Sequence, residues 1–133
     1  MDSMKSVRVL LVVMGVAFLP YGLYCFAVPG FLSGAAGVTG TTPTGVTEIR
    51  AMYGGLQAAF GMLMLAAARD SRLTLGGLAA VAFVMPGLAL ARLLGVILDG
   101  GLSGYTAGAL VFEIGSSVVG LSLLRSRLSA AAR

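Results

Sequence analysis

Apolar residues run along this chain in four unbroken stretches of about 20 residues, the length that crosses a bilayer as a helix. They are Val9 to Val28, Ile49 to Ala68, Leu73 to Leu98 and Tyr105 to Leu124. Backbone groups in lipid must hydrogen-bond to one another, so a span is either a helix or one strand of a closed barrel. Barrel strands are about 10 residues of alternating polarity, whereas these runs are continuous. The pattern predicts an all-α fold, an integral membrane four-helix bundle in one membrane domain covering residues 1–133. Pro86 interrupts the third and longest run and predicts a tilt or kink there. Between the first two runs, Pro29 to Thr47 carries glycines and threonines but no charge. It predicts a surface loop with one shallow turn at Phe31-Leu32.

Composition sharpens this picture mainly by exclusion. The chain is 58% hydrophobic and 11% charged, against about 25% charged in soluble domains, which rules out a water-soluble globule. The absence of histidine removes the usual haem ligand, the imidazole base and most zinc sites, so no cofactor and no metal are expected. Cys25, the sole cysteine, lies in an apolar run and predicts a buried, unreactive thiol. The bulky Tyr24 before it does not suit lipoprotein processing. Lys5 and Arg8 precede the first run as they would in a signal peptide, but three later spans favour a membrane anchor. Methionines such as Met62, Met64 and Met85 are scattered as core filling. The Gly104-xxx-Gly108 spacing suits either a dimerisation face or close packing inside the bundle, and favours the latter.

The net charge of +4 and pI near 9.8 are set by topology. Outside the spans, Lys5, Arg8, Arg69, Arg72, Arg125, Arg127 and Arg133 all fall at the termini or in the turn between the second and third runs. The other two loops hold no lysine or arginine between spans. By the bias of cytoplasmic loops toward positive charge, both termini face the cytoplasm. One-sided basicity points to anionic lipid headgroups as partners and to no nucleic acid.

Charges within lipid are costly, about 2.5 to 3.5 kcal/mol each at mid-helix, so those that remain mark a candidate site. Glu48, Arg50 and Asp99 lie at the outer interface, and Arg92 and Glu113 lie roughly 10 to 13 Å below it at 1.5 Å rise per residue. In the second run Arg50, Tyr53, Gly54, Gln57 and Gly61 fall on one stripe. In the fourth, Thr106, Glu113, Ser116, Ser117 and Gly120 do the same. Arg92 and Asp99 share a face of the third, where Gly87, Ala91 and Gly95 would allow close approach. These stripes predict a deep Arg92–Glu113 ion pair bridged by Gln57, a shallow pair of Arg50 with Glu48 or Asp99, and Tyr21 and Tyr24 as hydroxyl caps. Either the pairs fix helix packing, or they form a pocket in which the arginines receive an anionic group.

The segment Thr47-Glu48-Ile49-Arg50-Ala51-Met52-Tyr53-Gly54-Gly55-Leu56-Gln57, continuing to Phe60-Gly61, resembles a bacterial family of small four-helix membrane proteins catalogued as domain of unknown function family 4345. Arg92, Gly95, Asp99 and Gly100 match that family's ending of the third helix, and Glu113 its acid in the fourth. The resemblance implies the four-helix fold in a bacterial cytoplasmic (inner) membrane and transfers no activity. No nucleophile and base are evident beyond a loose Ser116 and Glu113 combination. The expectation is a non-enzymatic accessory or interaction subunit, bound beside other membrane-protein subunits of a larger assembly such as a lipid or solute transporter. The alternative is a small transporter or binder of an anionic or amphiphilic ligand using the Arg/Glu cluster.

Overall fold

The computed structural model describes residues 3–131, and Arg133, one of the basic residues of the orientation argument, lies outside them. Every regular element among the described residues is helical. Helix α1 spans Ser3–Ala27, α2 Phe31–Ala36 and α3 Pro43–Ile49; a π-helical stretch, Arg50–Gly55, leads into α4, Leu56–Arg69, followed by α5, Ser71–Asp99, and α6, Gly104–Ala131. Four helical segments are long and apolar enough to cross a membrane: Met4–Ala27, Pro43–Arg69, Ser71–Asp99 and Gly104–Ala130. Their outward surface is apolar, with Phe83, Leu98 and Val111 each more than 70% exposed, which in water would be an aggregating surface. This is a multi-pass membrane protein.

The helices outrun the apolar stretches at several ends. α1 begins at Ser3 and α6 continues to Ala131, because Lys5, Arg8, Arg125 and Arg127 end the apolar character but are good helix formers. The second span starts at Pro43 rather than Ile49. Thr42, in extended conformation, accepts a hydrogen bond from the Gly45 N–H, and Pro43 occupies the first helical position, where its missing N–H costs nothing. The shallow turn expected at Phe31-Leu32 is α2, closed by Gly37 at φ 70°, the left-handed conformation that favours glycine at a helix end.

The chain divides into two compact units. One is Leu11–Ala66; the other is the rest of the described chain, its first turns through Leu10 and everything from Ala67 on. In the first, glycines of α1 and α4 let backbones meet. A Cβ on Gly22 would stand 2.3 Å from the Ala58 nitrogen and 2.7 Å from the Gly54 carbonyl oxygen, and one on Gly61 would stand 2.4 Å from the Leu19 nitrogen. This is the close approach that small residues permit between helices in lipid. Above it, Cys25, Leu32 and Ile49 form a small buried core with Tyr21, Ala36, Val38 and Tyr53 packed against it. Cys25 is fully buried, as expected.

The second unit is built on the α5–α6 hairpin. Asp70 starts α5 by accepting from the Arg72 N–H, 2.9 Å, and Ser103 starts α6 by accepting from the Thr106 N–H, 3.1 Å. Thr74 is buried and donates to the Ala67 carbonyl at 2.8 Å, tying the first turn of α5 to the end of α4. A Cβ on Gly120 would lie 3.1 Å from Val81 Cγ1, so the two long helices are in contact there.

Candidate functional site

Glu113 is the most deeply buried charge, 4% exposed. It lies on the face of α6 that also carries Ser117 and Gly120, all three buried, as the helical spacing requires. Arg92 of α5 meets it with both edges of its fork: Nη2 donates to Oε1 at 2.8 Å, and Nε donates to Oε2 at 3.0 Å and to Oε1 at 3.2 Å. The geometry is the parallel, planar fit of guanidinium to carboxylate that makes such pairs strong. The Arg92 side chain retains 28% exposure against 6% for Glu113, so the acid is the more committed partner. Ser117 Oγ donates to the Glu113 carbonyl at 2.6 Å, a back-bond that keeps the hydroxyl from standing unsatisfied in lipid. The expected deep pair is therefore present. Gln57 belongs to the other unit.

Arg50 departs from expectation. Its Nη1 donates to the Phe26 carbonyl oxygen, and its guanidinium carbon stands 5.5 Å above the centre of the Phe26 ring. Within its unit a main-chain oxygen thus takes the place of Glu48, one of the two acids expected. Two physical reasons account for this. Residues two apart on a helix do not face each other, which separates Arg50 from Glu48. The last carbonyls of α1, Phe26 among them, have no helical donor and attract one from outside. Glu48 and Asp99 are both exposed, and Asp99 ends α5 beside the left-handed Gly100. Tyr21 and Tyr53 pack on the small core of the first unit. Tyr24 meets Phe31 edge to face, 5.1 Å between ring centres, so its place is in an aromatic pair. Gln57 is half-buried near the start of α4.

The small residues also fall otherwise than the spacing suggested. Nothing lies within 4 Å of a Cβ built on Gly104, Gly108 or Gly115 of α6, or on Gly76 or Gly87 of α5. The expectation that Gly104 and Gly108 serve internal packing, and that Gly87 admits a neighbour beside Arg92, is thereby corrected. On α6 the reason is rotational. Positions 104, 108, 111, 115 and 118 share an arc of about 80°, and Glu113 points the opposite way. With Glu113 turned to α5, those three glycines, Val111 and Val118 must face outward, where all are exposed. A helical projection centred on Glu113 would have revealed this from sequence. The Phe26 carbonyl could not have been found that way, since backbone atoms carry no residue signature.

Among the described residues no three potential histidine, cysteine, aspartate or glutamate ligands come together for a metal. A family model, Domain of unknown function (DUF4345), matches residues 6–124. No curated protein and no solved structure matches the chain.

Proposed function

The chain belongs to the DUF4345 family, and from that premise, which brings no activity with it, we propose that it is a non-enzymatic accessory subunit that docks other membrane proteins through the outer face of α6. The observation that carries this reading is the row of uncovered glycines at 104, 108 and 115 flanked by Val111 and Val118. Glycine in a helix interior costs about 1 kcal/mol relative to alanine. Gly22, Gly61 and Gly120 meet that cost where helices touch, while Gly76 and Gly87 of α5, eleven residues apart, stand open singly. On the outer face of α6 the compensating contact is missing, and a second transmembrane helix resting on the glycines would supply it. The setting we infer is a bacterial inner membrane, with both termini in the cytoplasm and the larger partner a lipid or solute transporter.

The Arg92–Glu113 pair has the structural part in this reading. Glu113 is closed on by its own arginine, which favours register-fixing over the reception of an anionic ligand at this pair. Purification in gentle detergent followed by mass spectrometry tests the proposal. The wild-type chain is expected to bring down a defined membrane protein, and a Gly108→Leu, Gly115→Leu variant to lose it while keeping its helix content. A wild-type chain recovered alone, as a monomer, contradicts the accessory role.

A further inference from the structure

We propose that Arg50 is a binding site for a phosphate group, and that the phosphodiester of a membrane lipid headgroup is what it holds. Arg50 and Glu48 are the only charged residues of the Leu11–Ala66 unit, and Glu48, two positions away, points from the other side of the helix. Arg50 therefore has no countercharge within its unit. It is nonetheless held in place: one donor is fixed on the Phe26 carbonyl and the guanidinium plane is seated over the Phe26 ring. Within the unit no other hydrogen bond or ion pair engages it. A guanidinium carries five N–H donors in a rigid fork, so donors remain in an orientation already set.

The place determines the ligand. Phe26 is next to the last residue of α1, at the end of the first candidate span, so the guanidinium stands at the level where the chain leaves the bilayer. Tyr24, Phe26 and Phe31, each at least 36% exposed, mark the end of α1 and the start of α2, and an exposed tyrosine ring settles at headgroup depth. The anionic group found at that depth is the lipid phosphate, whose oxygens match the planar donor fork. An arginine on an unconstrained side chain would wander among headgroups; one pinned to a carbonyl and a ring is ordered before it binds, which lowers the cost of holding the phosphate.

Solid-state NMR on the full chain in bilayers provides the test, by measuring phosphorus-to-nitrogen dipolar dephasing at arginine side chains. The Arg50 resonances are assigned in the wild type through the Ile49-Arg50-Ala51 connectivity, so no variant is needed. In phosphatidylcholine bilayers Arg50 is expected to dephase as a direct contact. In bilayers of a phosphate-free galactolipid the effect should vanish, and inorganic phosphate should not restore it. Restoration there would keep the phosphate site but assign it to the free ion, and absence of dephasing in both bilayers overturns the proposal. Native mass spectrometry is the second arm. Arg50→Gln should retain about tenfold less phosphatidylglycerol than wild type, and Thr44→Ala, altering an exposed uncharged side chain of α3, should retain as much. Equal retention by Arg50→Gln and wild type also overturns it.

Discussion

A carboxylate placed in an apolar helix pair must either find a cation or give up its charge, and at Glu113 the cation is Arg92. The pair's two oxygens and two donor nitrogens are matched, which makes the consequences of removing one partner unequal to those of removing both. Glu113→Leu alone takes the carboxylate from a half-buried guanidinium, and Arg92→Leu alone takes the guanidinium from a buried carboxylate. Each is expected to destabilise the α5–α6 hairpin by about 3 to 5 kcal/mol, read as a drop in thermal midpoint in detergent. The double variant Arg92→Leu, Glu113→Leu should return to within about 1 kcal/mol of wild type, because apolar residues of similar size replace the pair. A double variant no more stable than either single one would show that the pair does more than fix the hairpin. This partnership was legible in the sequence because two opposite charges at similar depth leave little choice of partner. Arg50 was not, because its carbonyl acceptor on Phe26 could not be read from residue types.

At the scale of elements, glycines in helices fall into two kinds, those filled against a neighbour and those left open. Gly22 and Gly61 are filled against backbone, at 2.3 Å and 2.4 Å from the nearest atom a Cβ would meet. Gly22→Val should cost about 1 to 3 kcal/mol or more by overpacking and should separate α1 from α4 in a cross-linking assay. Gly108 meets nothing, so Gly108→Ala should stabilise the isolated protein by up to about 1 kcal/mol while weakening partner recovery. If Gly108→Ala destabilises the isolated chain, the outer face is already covered within it. The four spans themselves were readable from unbroken hydrophobicity. The start at Pro43 was not, because Pro43–Ile49 is too polar for a hydropathy reading and announces itself only through its cap. The π-helical stretch was equally hidden: its Leu56 N–H reaches the Ala51 carbonyl five residues back, a widened turn that no composition marks.

For the whole molecule, one-sided lysines and arginines in the sequence set the proposed orientation, with Arg69 at the end of α4 and Arg72 in the first turn of α5 on the cytoplasmic side. In a Cys25→Ala background, a membrane-impermeant thiol reagent added to intact cells should label Gly101→Cys and spare Ser71→Cys. The reverse pattern overturns the orientation while leaving the helices as they are. The larger claim is that this small protein spends one face of α6 on its own hairpin and reserves the opposite face for another polypeptide. Site-specific photocross-linking in native membranes addresses it directly, with the reactive group at Val111 on the outer face and, for comparison, at Val16 on the exposed side of α1. The account predicts a discrete protein adduct from position 111 and lipid adducts alone from position 16. Lipid adducts alone from both positions would contradict it.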